Sequence, residues 1–412
     1  MVETSKGNGE TGNRKQEKLT LRRYAKMKGT AFLMPKVLLQ GPGSLEMLGK
    51  EIQRIGCKKA LLVTDKIMEK SGYVGKLTAI LDNATVGYVI FDGVAGEPED
   101  RFIYEGLEVY KKENCDFLIA LGGGSPIDTA KAVGILATNG GKITEYMGAD
   151  KVSKPTPPVV AIATTAGTGS EVTRFTIITD TENDVKMLIG SPFVMPDIAV
   201  ADPILTLTVP PKVTAATGLD AFCHAIEAYV SKKATPMTDK VSLAAIELIS
   251  QNLRKAWCNG DDLEARSNMM LASTLAGMSF NNSSVTLIHG MSRPIGANFH
   301  LAHGISNAVL LPTWAEFTYL AVPEKFAKVA EAMGENVEGL PVLDAALVAV
   351  DAIRRLCEDV EVPSISEMGV KKEDFEKVLE KMAHDAVVSG SPANNPRSVD
   401  EKQIVELYRK AF

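Results

Sequence analysis

Phe117-Leu118-Ile119-Ala120-Leu121-Gly122-Gly123-Gly124-Ser125-Pro126-Ile127-Asp128-Thr129-Ala130-Lys131 is the stretch on which the reading of this chain turns. Its first five residues form an apolar run with no polar alternation, as expected of a strand covered on both faces. Three glycines follow, which tolerate positive φ and let the backbone approach a ligand closely. Ser125 then suits an N-cap, Pro126 the first helical position, and Asp128 completes a capping-box spacing. Strand, glycine turn and helix start leave free N–H groups where phosphate binds. The turn is neither GxGxxG nor a P-loop, and by itself reads equally as a tight strand-to-helix connection. Its companions decide the matter.

Outward from this stretch, the same alternation repeats. Ala60-Leu61-Leu62-Val63-Thr64 ends at Asp65, Gly87-Tyr88-Val89-Ile90-Phe91 at Asp92, and Val159-Val160-Ala161-Ile162-Ala163 at Thr164. Helical segments intervene, for example from Glu99 to Asn114. Such βαβ repetition builds a doubly wound parallel sheet with helices on both faces and ligands at the carboxyl ends of its strands. After Pro210-Pro211 the pattern becomes helical: Ala215–Ser231, Asp239–Asn252, Leu263–Asn281, Pro323–Met333, Leu343–Glu358, and a last amphipathic stretch from Asp400. The expected organisation is an α/β dinucleotide-binding domain over residues 30–211 and an all-helical metal-binding domain over 212–412. Residues 1–29 are polar and read as an extension, with a short basic helix possible from Lys15 to Lys28.

Bulk properties agree. Two domains suit 412 residues, and 45% hydrophobic with 23% charged residues is an ordinary globular balance. A net charge of −6 offers no broad basic face for nucleic acid. No apolar run approaches the ~20 residues of a membrane helix. Cys57, Cys115, Cys223, Cys258 and Cys357 are widely spaced and form no CxxC, which excludes a disulfide framework and a cysteine-built zinc site. Together with the lack of an apolar signal core, this makes a reducing cytoplasm the expected setting.

Two companions give the glycine turn its meaning. Asp65, at a strand end, suits the ribose hydroxyls of an adenosine and repels a 2′-phosphate. Thr164-Thr165-Ala166-Gly167-Thr168-Gly169-Ser170-Glu171-Val172-Thr173 is a second polar turn of hydroxyl and backbone donors. A separate constellation lies in the second half. Asp220 and His224, spaced i,i+4, share one face of an otherwise apolar helix, where an unpartnered carboxylate would be costly. Three of the five histidines, His289, His300 and His303, crowd into one short segment. One carboxylate and three imidazoles suit a borderline divalent metal such as ferrous iron or zinc. Spacing does not choose between His300 and His303.

Taken in order, Gly122 through Asp128, Thr164 through Thr168, Gly218-Leu219-Asp220 through Glu227, and His289 through His303 resemble the motifs of the iron-containing (group III) alcohol dehydrogenase family, from about residue 30 to the C-terminus. The resemblance implies metal ligands at Asp220, His224, His289 and His303, with His300 left over. It implies cofactor contacts at Asp65, Gly123, Gly124, Ser125, Asp128, Thr164, Thr165, Thr168, Thr173 and Lys186. It further implies NAD(H), Fe2+ with Zn2+ as the alternative ion, a small alcohol or aldehyde substrate, and a homodimer or higher oligomer. There is one departure. Four residues after His289, where many members have a second histidine, this chain has Arg293. An arginine does not titrate near neutrality, so proton relay there is in doubt and a fixed positive charge enters the site. That charge suggests an aldehyde carrying an anionic group, such as a semialdehyde or sulfoacetaldehyde; the alternative is that Arg293 pairs with an acidic residue or the cofactor phosphates and leaves a neutral pocket for simple aliphatic alcohols. Competing readings are a dehydroquinate-synthase-like or sugar-phosphate lyase, which needs a cluster of basic residues, and a non-catalytic cofactor-binding scaffold, which has no use for a ligand set.

Overall fold

The computed structural model describes residues 29–183 and 185–412. The expected basic helix from Lys15 to Lys28 lies outside the described residues, as does all of the 1–29 extension except Gly29. Residues Leu33–Phe412 form one compact unit.

The strands are β1 (Val37–Gln40), β2 (Lys59–Val63), β3 (Gly87–Phe91), β4 (Phe117–Gly122), β5 (Gly148–Ala149), β6 (Val159–Ala163), β7 (Phe175–Asp180), β8 (Val185–Gly190) and β9 (Ile198–Ala201). Six of them make a parallel sheet in the order β1-β9-β6-β4-β2-β3. Between them run α1 (Leu48–Ile55), α2 (Lys66–Lys70), α3 (Tyr73–Asn83), α4 (Asp100–Lys112) and α5 (Gly124–Asn139). Every residue of β4 and β6 is buried, because the pleat sends alternate side chains into two different cores. Leu118, Ala120, Val159 and Ala161 pack with Phe102 and Ile103 of α4 and Ile127 of α5. Phe117, Ile119, Leu121, Val160 and Ile162 pack with Leu48 and Ile52 of α1 and Leu77 of α3. The uninterrupted apolar runs follow from this double cover.

Five strands have no counterpart in the sequence reading. β1 and β9 are only four residues each. β7 and β8 form an antiparallel hairpin, with β5 beside β8, as a separate three-stranded sheet. The hairpin alternates buried and part-exposed positions along β7, which weakens its apolar signal.

From Pro211 onward the described chain is helical: α6 (Pro211–Val230), α7 (Pro236–Cys258), α8 (Leu263–Asn282), α9 (Leu287–Phe299), α10 (His303–Ala308), α11 (Leu311–Thr318), α12 (Pro323–Ala332), α13 (Val342–Asp359), α14 (Lys372–Val388) and α15 (Glu401–Ala411). The sequence reading omitted α9, α10, α11 and α14 and began α6 four residues late. α6 is the hub: from Gly218 to Val230 it is buried on all sides, which is the signature of a helix inside a bundle rather than on its surface. No helix among the described residues is long and apolar enough to cross a membrane. The architecture is thus an α/β dinucleotide-binding sheet followed by a helical bundle.

Candidate metal centre and cofactor cleft

Three helices bring four donor groups together. α6 supplies Asp220 and His224, the first turn of α9 supplies His289, and the start of α10 supplies His303. One donor atom from each lies within 4.8 Å of the others. Asp220 Oδ1 is 3.9 Å from His224 Nε2, 3.6 Å from His289 Nε2 and 3.8 Å from His303 Nε2. These separations are too long for hydrogen bonds. They approach the roughly 3.3–3.6 Å at which a four-coordinate ion with bonds of about 2.0–2.2 Å spaces its ligand atoms. The donor set therefore fits a divalent metal. Close helix packing makes it possible. A Cβ on Gly304 would sit 2.6 Å from the Ala216 carbonyl oxygen, so only glycine lets α10 lie on α6 with His303 over Asp220.

The electrostatics suit ligation. Burial pulls the His224 imidazole down to about 4 and the His303 imidazole to about 3, against the opposing pull of Asp220, so both are neutral with a free lone pair at neutral pH. Burial alone would raise the Asp220 carboxyl, but its interactions with His224, His303 and His289 outweigh it and hold the group well below the usual carboxylate range. His300 ends α9 in a left-handed conformation at φ 53°, is exposed, and stays outside the cluster. Position in the fold thus separates the two histidines that spacing left open.

His224, His289 and His303 of the cluster line a cleft of about 480 Å³. The glycine turn and the second polar turn form another wall, with Gly124, Ser125, Asp128, Thr168, Ser170 and Thr173 facing in. Here local detail corrects the expectation. Gly123 is the N-cap, the helix begins at Gly124, and neither Ser125 nor Asp128 caps it. Glycine is required because the second turn lies against the first: a Cβ on Gly124 would meet Thr168 Cγ2 at 3.0 Å, and one on Gly123 would meet Thr165 Oγ1 at 3.3 Å. Thr164 is buried beneath these turns. Asp128 is committed to protein donors on both oxygens, accepting from Ser170 Oγ at 2.6 Å and from Ile177 N at 2.8 Å. Asp65 follows β2, the neighbour of β4, so it shares the sheet edge with the glycine turn. Its Oδ1 caps α2 by accepting from Ile67 N and Met68 N at 2.8 and 2.9 Å. Lys186 on β8 reaches the cleft and pairs with Glu97 at 3.0 Å.

Arg293 lines the same cleft one turn beyond His289. Its guanidinium donates to no carboxylate among the described residues, although the charge of Glu227 acts on it. It donates to Ser391 Oγ at 3.0 Å, while its Nε is enclosed without a partner. Several cleft residues escaped the sequence reading. Arg174 and Lys233 add positive charge from two other segments, and Phe280 stacks on His224 at 4.3 Å between ring centres. Asn307, one turn after His303, is wholly buried and donates its amide to Asp220 Oδ1 at 2.7 Å. Glu227 accepts from His289 Nδ1. The i,i+4 spacing from His303 to Asn307 and the i,i+7 spacing from Asp220 to Glu227 were readable signals, since both put a polar residue on a ligand's face of a helix.

Comparison with known proteins follows the same outline. Residues 35–203 match the family model described as iron-containing alcohol dehydrogenase, and residues 214–412 match the C-terminal model of the Fe-containing alcohol dehydrogenase family. A 1,3-propanediol dehydrogenase of Citrobacter freundii is 45% identical over 384 residues, covering 92% of this chain and 98% of that protein. An NAD-dependent methanol dehydrogenase of Bacillus methanolicus is 43% identical, covering 93% of this chain and 100% of the other. The crystal structure of a 1,3-propanediol oxidoreductase superposes with a TM-score of 0.90 at 44% identity, over 93% of this chain and 100% of its own.

Proposed function

The chain belongs to the iron-containing alcohol dehydrogenase family, and from that premise we propose that it transfers a hydride between NAD(H) and a short alcohol or aldehyde at a divalent metal held by Asp220, His224, His289 and His303. One observation carries the reading: a carboxylate and three imidazoles converge within 4.8 Å, and the imidazoles line the cleft that two glycine-containing turns also line. When bound, the ion supplies a Lewis acid for the substrate oxygen. Everything else is the work of the polypeptide. The free N–H groups at the start of α5 receive the cofactor's phosphates, and Thr165 and Thr168 close over the glycines. Asp65 keeps Oδ2 for a ribose hydroxyl and meets a 2′-phosphate with like charge, which favours NAD(H) over NADP(H). Phe280 stacks on His224 and keeps water from that side of the donor set.

Fe2+ is the proposed native ion, and Zn2+ satisfies the same nitrogen and oxygen donors. The substrate is proposed to carry an anionic group, as a semialdehyde or sulfonated aldehyde does. Arg293 supports this because its planar charge faces the cleft with no ion-pair partner among the described residues, and Arg174 and Lys233 line the same space. The test is a metal analysis of anaerobically purified protein, followed by turnover of anionic and neutral short aldehydes with NADH and NADPH. The expected result is close to one metal per chain, Fe2+-supported turnover with NADH, and much weaker use of NADPH. His289→Ala is expected to lose both metal and turnover. A variant that keeps full activity without metal would overturn the reading.

A further inference from the structure

Glu227 lies on α6, seven residues after Asp220 and three after His224, and is completely buried. A buried carboxylate needs compensation, and here each oxygen has its own. Oε1 accepts from Thr286 N at 2.9 Å, Thr286 Oγ1 at 2.8 Å and Ile288 N at 2.8 Å, with His289 N farther away at 3.4 Å. These are the N–H groups that open α9, a helix that has no side-chain cap of its own. A negative charge at a helix N-terminus also faces the positive end of its dipole. Oε2 takes the remaining role and accepts from His289 Nδ1.

We propose that Glu227 is the positioning residue of the metal centre: through one carboxylate it sets where α9 begins and which nitrogen His289 presents to the ion. This rests on the metal-binding reading above. With Nδ1–H committed to Oε2, the lone pair of His289 resides on Nε2, the atom 3.6 Å from Asp220 Oδ1. His289 is itself buried, so a ring turned the other way would strand an N–H with no acceptor. The carboxylate also raises the donor strength of the imidazole, as such partners do at metal sites. Because α6 carries Asp220, His224 and Glu227 together, one rigid helix supplies two ligands directly and aims the third. Arg293, one turn farther along α9, takes its position from the same anchor. The competing account makes Glu227 a helix cap whose contact with His289 is incidental.

The test separates the two accounts on the full-length protein. Zn2+ affinity is measured by competition with a chromogenic chelator for the wild type, Glu227→Gln, Thr286→Ala and His289→Ala. Thr286→Ala removes a hydroxyl donor from the Oε1 set but leaves the His289 pair, so it should lower thermal stability while leaving Zn2+ affinity within about threefold. Glu227→Gln should weaken Zn2+ binding by about 10–100-fold, the usual cost of losing an outer partner of a ligand. A second readout needs no variant. In Zn2+-loaded wild type with 15N-labelled histidine, the His289 ring should carry its proton on Nδ1 and bind metal through Nε2. Unchanged affinity in Glu227→Gln, or a His289 ring metallated at Nδ1, would overturn the proposal. Failure of the wild type to bind Zn2+ at all would instead remove the metal-binding reading beneath it.

Discussion

A single side chain carries the question of substrate. Arg293 occupies the position where a titratable histidine is common in this family, and in the fold it faces the cleft with Ser391 as its one hydrogen-bond partner among those described. A guanidinium cannot deliver a proton near neutrality, so its contribution to the reaction is a fixed field and a planar donor edge. Arg293→Ala should therefore selectively reduce kcat/KM for an anionic aldehyde by about 2–3 kcal/mol of transition-state binding relative to its neutral isostere. An unchanged ratio would show that the arginine does not read the substrate. Residue-level reading of the sequence reached Asp220, His224 and His289 because each is rare or costly in its setting and left His300 and His303 open, while the family resemblance pointed to His303 and drew attention to Arg293. It did not reach Glu227 or Asn307, whose partners are 62 and 87 positions away in the chain.

At the scale of elements, the least expected feature is how α5 holds the second polar turn. Lys131 is completely buried, and its Nζ donates to the carbonyl oxygens of Ser170, Thr173 and Phe175 at 2.7, 2.9 and 2.8 Å, with longer contacts to the Ser170 and Thr173 hydroxyls. Burial pulls this amine down to about 8, while Asp128 and Glu171 pull it back up. The lysine works as a tethered cation that gathers the second polar turn and the first residue of β7. Lys131→Met would remove the donor to those three carbonyls and the buried cation that faces Asp128 and Glu171. The expected loss is about 2–5 kcal/mol of stability and a raised KM for NADH, with metal content unchanged. Equal KM values in the two proteins would show that the turn holds its shape alone. The apolar elements were legible because periodicity is local. The α5 start was misplaced by two residues, since Ser125 and Gly123 both suit an N-cap, and the glycines lie where Thr165 and Thr168 leave little room for a Cβ.

For the whole molecule, a bound ion would pin α6, α9 and α10 to one point, so metal should stabilise the fold as any ligand of the native state does. The pH dependence follows from the histidines. His224 and His303 have folded values of about 4 and about 3 against an ordinary 6.5, so between those limits the unfolded chain binds protons that the native chain does not. Stability contributed by these groups is therefore present above pH 6.5 and lost as pH falls toward 4. The lowered Asp220 acts in the same direction at lower pH. His289, raised by Glu227 and Asp220 against the effect of burial, acts oppositely and loses its contribution as pH rises through its folded value. The Tm gain on adding Zn2+ to stripped protein should be largest near neutral pH and shrink toward pH 4. A gain independent of pH would place the metal on other ligands. The sequence by itself determined the two-part architecture, the glycine turn and the residue types of the metal set, because hydrophobic period and rare polar residues in apolar runs are local signals. Only the tertiary structure decided that His303 and not His300 meets Asp220, that Asp128 serves the second turn, and that Glu227 orients His289. Those outcomes depend on how closely helices from distant parts of the chain approach, which is set by packing at positions such as Gly304 and leaves no period in the sequence.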